Sequence, residues 1–469
     1  MTDDDFRTER DSLGEMQVPA DAYWGAQTQR AVENFPVSDA TFGRRFIRAL
    51  GIVKKAAAQA NNDLGLIEEE TAGHIVEAAN EVIAGEHDDQ FPVDIFQTGS
   101  GTSSNMNANE VIANRATELA GGEIGSRDIH PNDHVNYGQS SNDVIPTAMH
   151  VAALEAVEND VLPALETLHE ELAAKEDAFE DVVKTGRTHL QDATPVTLGQ
   201  EFGGYRTQIA KGITRVKDSR NHLSELALGG TATGTGLNTH PEFPWRAAEY
   251  ISEETNISFR EADNHFEAQA AHDAMNEAHG ALRTVAGSLN KIANDLRLLA
   301  SGPRNGLGEV EQPENQPGSS IMPGKINPVV AESVNQVHKQ VVGNDAAVAA
   351  GAAEGQIDLN LYKPVLAYNF LQSAKIIANS SEVFAERFVA KLEANREHCA
   401  DKVEQSMALA TALNPAIGYD KASEVAKTAL KEGKTVREVA VEKGYLTEEE
   451  ADEVLDPAKM TDRVILGDD

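Results

Sequence analysis

A mainly α-helical fold of the all-α class, built around a central bundle of long helices, is what three features of the sequence predict. Apolar residues recur at three- and four-residue spacings over stretches that outrun the ordinary globular helix of about 11–12 residues. Hydrophobic residues make up 41% and aromatics only 5%, an Ala-, Val- and Leu-rich mix that suits close helix packing better than a β-sandwich core. At 469 residues the chain exceeds one compact core, which calls for two or three domains or a long helical body with end domains.

The elements follow in order. Residues 1–138 mix short helical patterns with Gly, Pro and Asn punctuation, as in FPVSDATFG and FPVDIFQTGSGT, and read as a smaller N-terminal domain. A central domain is expected over 139–395. From Asn142 onward Val144, Ile145, Met149, Ala152, Val157, Val161, Leu165, Leu168 and Leu172 mark one face of a long helix. Further long segments fall at roughly 196–227, 266–300, 329–351 and 365–395; the second keeps its period to Leu299 before Gly302 and Pro303 stop it. Five long helices imply a bundle, and faces so wide and Ala-rich predict a homo-oligomer. Residues 396–469 shorten into a small C-terminal helical domain with Gly418, Gly433 and Gly444 as stops.

Acidic residues outnumber basic ones by 76 to 40, a formal charge of −36 spread along the chain. That excludes nucleic acid as an expected partner. Self-repulsion of this size predicts a salt-rich cytoplasm, where screening relieves it. The N-terminus, MTDDDFRTERD, has no apolar core of a leader peptide, and no run of 18 apolar residues occurs, so no membrane association and a cytoplasmic location are expected. The one cysteine, Cys399, reads as a packed thiol in a helix and excludes an intrachain disulfide or a cysteine-held iron–sulfur cluster. The histidines lack HExxH-like spacing, and no GxGxxG follows a strand, so no metal and no cofactor are expected.

The loops between the long helices carry the chemistry. GSSIMPGKINP, Gly318 to Pro328, combines two serines flanked by Gly318 and Gly324, the point charge of Lys325, and the amide of Asn327 beside a helix that begins near Val329. This is the composition of an anion-binding loop with a potential base. The string closely resembles the signature of the fumarase and aspartase superfamily. Resemblance to the class II fumarase branch extends through QTGSGTSSNMNANEVIANRA, HPNDHVNYGQSSNDVIPTAMHVAA, GRTHLQDATPVTLGQEF and ALNPAIGYDKASEVAKTA, essentially the whole chain.

Several residues acquire expected roles from this resemblance. Ser100, Gly101 and Thr102, ahead of a helix expected to start near Asn105 with Ser103 or Ser104 as its cap, would contact a substrate carboxylate. Ser140, Ser141 and Asn142 stand at the head of the long helix, where hydroxyl, amide and helix dipole suit a second negative group. Thr188 and His189 follow the β-branched run DVVKTG, and the family pattern pairs that histidine with a carboxylate, here Glu332, to handle water. Ser319 is the implied base, with Lys325 assisting and Ser320, Ile326 and Asn327 holding the substrate. Arg127 is an implied substrate-binding residue, and just downstream of it His130, Pro131, Asn132 and Asp133 resemble a second dicarboxylate site, for which a structural turn made by Pro131 and Asn132 is an equally good reading. GGTATGTGLN, Gly229 to Asn238, expected to follow a helix, resembles the superfamily's second signature region, with Thr235 and Asn238 in the substrate loop.

The implied reaction is reversible hydration of fumarate to L-malate without a metal, within the tricarboxylic acid cycle. The implied assembly is a homotetramer in which three subunits share each site. The nearest rival is aspartate ammonia-lyase. SSND, PENQPGSS with MPGK, and HPND favour the fumarase branch. A catalytically silent protein on the same scaffold is disfavoured by retention of Ser319, Lys325, Asn327, Thr188 and His189.

Overall fold

The computed structural model describes residues 6–462; Met1–Asp5, with the start of the acidic N-terminus, and Arg463–Asp469 lie outside the described residues. A hairpin of β1 (Phe6–Asp11) and β2 (Gly14–Pro19) leads into α1 (Ala26–Asn34), α2 (Arg44–Asp63), α3 (Glu69–Ala84) and α4 (Thr102–Leu119). Glu110 of α4, 5% exposed, accepts the amides of Gly25, Gln27 and Thr28 and so closes the start of α1.

The N-terminal stretch, expected to hold only short helical patterns, contains the 20-residue α2 and the 18-residue α4. The first of the expected long central segments is α5 (Ser141–Ala156), a π turn over Val157–Val161, and α6 (Leu162–Ala178). Every residue from Asp143 to Ala156 is buried, so this helix is covered on all sides rather than striped. The hairpin of β3 (Val183–Thr188) and β4 (Gln191–Thr197) precedes α7 (Leu198–Asp218). The expected segment 196–227 ends earlier than its periodicity suggested: α8 (Arg220–Leu223) and β5 (Glu225–Leu226) follow, and β5 pairs in parallel with β6 (Arg260–Glu261) beyond α9 (Phe243–Thr255). The run from Gly229 therefore follows a short strand and not a helix. The expected segment 266–300 is also two elements, α10 (His265–Ala270) and α11 (Asp273–Leu299), because Ala271 takes an extended backbone.

After β7 (Val310–Glu311) come the two remaining long helices, α12 (Val329–Ala353) and α13 (Lys363–Arg387), then β8 (Glu393–Ala394), antiparallel to β7, and α14 (Arg396–Glu404). Helices α15 (Leu413–Ile417), α16 (Tyr419–Glu432), α17 (Val436–Glu442) and α18 (Glu448–Val454) form the tail around a core that includes Leu409, Leu413, Val425, Val436, Val439 and Leu455. Gly433 and Gly444 sit at positive φ where α16 and α17 end. Cys399 is buried in α14, and burial pushes its thiol up to about 11.

The chain divides into two compact units. The first gathers the chain through Pro163 with Thr214–Ala286 and Lys339–Ala378; the second gathers Ala164–Ile213, Gly287–His338 and the chain from Asn379 onward. No helix of the described residues is long and apolar enough to cross a membrane.

Candidate active site

In the first unit the loop before α4 is set by Gly101, which stands at φ +80 as the residue preceding the helix. The helix begins at Thr102, three residues earlier than expected, and neither Ser103 nor Ser104 caps it. The Ser104 amide and hydroxyl donate instead to Gln97 Oε1, and Ser103 Oγ shares a hydrogen bond with Thr98 Oγ1. Ser100 Oγ and Thr102 Oγ1 lie 2.8 Å apart, a pair of hydroxyls at a helix start.

Ser140 caps α5 in a reciprocal box with Asp143, whose Oδ1 accepts the Ser140 amide at 2.9 Å. The other carboxylate oxygen, Oδ2, accepts the amides of Gly229 and Thr231 at 3.0 and 2.9 Å. Asn142 Nδ2 donates to Ala232 O at 2.7 Å, and Ser141 Oγ accepts from Asn105 Nδ2 at 3.1 Å. The expected residues Ser100, Gly101, Thr102, Ser140, Ser141 and Asn142 are thus brought together with the Gly229–Asn238 run as one set of interlocked loops. Two residues that the motif reading passed over tie them. Lys363 donates its backbone amide to Gly99 O and its ammonium to Asn142 O, and Lys54 donates to Asn136 Oδ1 and Gln139 Oε1. Their only sequence signals are a Lys-Pro pair opening a helix and a lysine inside an apolar run.

The HPND stretch forms a tight π turn over Pro131–Val135. His130 Nδ1 accepts the amides of Asn132 and Asp133, so Nε2 carries the proton of the neutral ring, and burial holds the imidazole below its usual range. Arg127, exposed at φ +65, donates to Arg10 O. The turn reading describes this geometry, and among the described residues His130 Nε2 makes no hydrogen bond.

In the second unit the signature loop closes on itself. Gly318 N donates to Lys325 O at 2.9 Å and Asn327 Nδ2 donates to Gly318 O at 2.5 Å. Only glycine fits at 318, because a Cβ there falls 2.1 Å from Lys325 O. Ser319 Oγ accepts the amides of Ile321 and Met322 at 3.2 and 3.0 Å, so two backbone dipoles point at that oxygen. Ser320 is exposed beside it. Lys325, Ile326, Asn327 and Glu332 line a cavity of about 440 Å³ together with Arg297 and Gln312, the latter two again outside the motifs.

Thr188 and His189 stand exposed at the tip of the β3–β4 hairpin. Thr188 pairs with Gln191, so His189 and Leu190 are the two turn residues, at φ +54 and +60. Two-residue hairpins of this kind favour Asn and Gly, and a branched or ring side chain there costs about 1–3 kcal/mol. Such strain concentrates where function holds a residue in place. Among the described residues of one chain, His189 and Glu332 make no hydrogen bond or ion pair with each other.

Comparison with known proteins sets these loops in a family. The family model described as Lyase matches residues 14–343, and that described as Fumarase C C-terminus matches residues 409–462. A class II fumarate hydratase from the halophile Halobacterium salinarum is 81% identical over 467 residues, covering 99% of each chain. The chain belongs to the class II fumarate hydratase family. A second class II fumarate hydratase, from Nitrosomonas europaea, is 54% identical over 98% of this chain and 100% of its own. The crystal structure of class II fumarase from Schistosoma mansoni superposes with a TM-score of 0.95 at 40% identity, covering 97% of this chain and 99% of that one. Membership of the class II fumarate hydratase family sets aside the aspartate ammonia-lyase reading, and the halophile relative accords with the acidic surplus.

Proposed function

We propose that the chain performs the family reaction, the reversible and stereospecific hydration of fumarate to L-malate, with Ser319 as the base and the His189–Glu332 pair handling water. The single observation that carries the assignment of the base is the closed signature loop, in which two backbone amides donate to Ser319 Oγ.

Fumarate resists water because attack at one alkene carbon places charge on the other. In the dehydrating direction Ser319, as an alkoxide held by the Ile321 and Met322 amides and the nearby Lys325 charge, takes the C3 proton of malate. The electron pair moves into the adjacent carboxylate, giving an aci-carboxylate, which Ser320, Ile326 and Asn327 hold. His189, oriented by Glu332, then delivers a proton to the C2 hydroxyl, which leaves as water while the double bond forms. Hydration runs the same steps backward. Ser100, Gly101, Thr102, Ser140, Ser141 and Asn142, with Thr188, bind the dicarboxylate by its two ends. No step calls for a metal or cofactor.

Among the described residues His189 and Glu332 make no hydrogen bond or ion pair with each other, and a site assembled between chains is how this reading brings them to one substrate. We read the active form as a homotetramer whose subunits share sites, placed in a salt-rich cytoplasm, with residues 1–138, 139–395 and 396–469 as lyase domain, helical bundle and tail. His130, Pro131, Asn132 and Asp133, just downstream of Arg127, are read as an accessory dicarboxylate site.

Absorbance of fumarate appearing from L-malate, and separately from L-aspartate, in high potassium chloride with added chelator tests the reaction. Signal from malate alone is expected; signal from aspartate alone, or from neither in folded oligomer, overturns it.

A further inference from the structure

Three fully buried charged residues lie under the loops of the first unit: Lys54, Asp143 and Lys363, each 0% exposed. Burying charge is costly without close partners, and neither lysine makes an ion pair with Asp143 among the described residues. Two cations share one carboxylate, so the fully ionised cluster keeps one surplus positive charge in a protein whose formal charge is −36. Its position is specific. Lys363 opens α13; its backbone amide donates to Gly99 O at 3.2 Å and its Nζ to Asn142 O at 3.1 Å. The chain just before it is pressed on the same loop, because a Cβ on Gly99 would fall 1.9 Å from Leu361 O. The third loop joins through Gln269, also fully buried: Asn360 N donates to Gln269 O, and Gln269 Nε2 donates to Thr231 O at 2.8 Å.

We infer that Lys363 is a positioning residue for dicarboxylate binding: it fastens the Gly99–Thr102 loop to the Ser140–Asn142 turn and adds the surplus charge that a dianion feels there. The inference rests on the reading of those loops as the substrate receptor. It has a consequence for protons. Burial pulls both Lys54 and Lys363 down to about 7, each opposed by the Asp143 charge, while Asp143 is pushed up to about 6. The other titratable groups facing Lys363 are His272, which burial holds well below its usual value, and behind it His150, also lowered by burial. Neither imidazole gains charge near neutrality. A bound dianion favours the ammonium form, so binding takes up a proton, and affinity falls as pH rises above about 7.

The test has two parts. On the unaltered enzyme, calorimetry of succinate binding near about pH 7.5, in buffers of different ionisation enthalpy, reads proton uptake directly; a substantial fraction of one proton is expected, and none overturns the inference. In kinetics, Lys363→Met is expected to raise KM for malate about tenfold with kcat within about threefold, and to flatten the climb of KM from about pH 6.5 to about pH 8.5. Lys363→Arg, a cation that does not titrate, is expected to keep KM low at both ends. A Lys363→Met enzyme that folds and keeps the unaltered KM and pH profile also overturns it. A Ser100→Ala/Thr102→Ala double variant separates the levels: unchanged KM there sinks the receptor reading itself, whereas a raised KM with no proton uptake sinks only the role of Lys363.

Discussion

Lys184 Nζ lies 3.2 Å from Glu309 Oε2 with both side chains wholly shielded from solvent. Glu309 also pairs with Arg187 at 2.7 Å, and Arg187 is two residues before His189 on the same hairpin. The carboxylate thus holds two cations under the strained turn that presents His189. Replacing Glu309 by Gln leaves those cations short of a counter-charge, and a loss of about 3–5 kcal/mol is expected from urea unfolding in high salt. Unfolding at the unaltered midpoint would show that Glu201, the other carboxylate beside Lys184 at 2.9 Å, suffices.

Ser319→Ala removes the oxygen on which the Ile321 and Met322 amides converge. The fall in kcat should be at least about 10²–10⁴-fold, with circular dichroism and oligomeric state unchanged. A fully active variant would move the base elsewhere.

The buried lysines predict how stability depends on pH. Between about 7 and the ordinary lysine value of about 10.4, the unfolded chain binds more protons at Lys54 and Lys363 than the folded one. Stability therefore rises with pH in that window, by about 1.4 kcal/mol per pH unit for each lysine. Denaturation midpoints in concentrated potassium chloride should climb from about pH 7.5 to about pH 9. Lys54→Met should remove its half of the slope; an unchanged slope would refute the assignment.

Gly99→Ala forces a methyl group against Leu361 O, at 1.9 Å in the unshifted backbone. Displacement of either the loop or the Leu361–Lys363 strap is expected, read as a higher KM and a lower melting temperature. A variant indistinguishable from the parent would mean that the strap yields freely.

Salt should act on the whole molecule. The Debye length shortens from about 10 Å at 0.1 M to about 3 Å at 1 M, so the repulsion among surplus carboxylates shrinks across that range. Melting temperature is expected to rise with potassium chloride, and a flat response would remove self-repulsion as a design constraint.

Much of the fold was legible because helical period and stop signals are local. The segment ending at Leu299 is legible to within a residue of its end, as Gly302 and Pro303 lie three and four residues beyond it. Where period persisted but structure did not, tertiary demands intervened: β5 pairs with β6 across more than thirty intervening residues, which no local pattern encodes. The start of α4 was misplaced for a related reason. Ser103 and Ser104 have capping chemistry, yet Gln97 and Thr98 claim their side chains, and Gly101 supplies the left-handed turn.

The sequence by itself determined the helical class, the acidic character and the short loops that bear Ser319, His189 and Ser140–Asn142, since those depend on residue type and spacing along the chain. Only the tertiary structure decided what holds the loops. Lys363 reaches Asn142 over 221 positions and Glu309 reaches Lys184 over more than a hundred. The worth of a buried charge depends on burial and on the few groups within hydrogen-bonding distance, and both are properties of the packed chain.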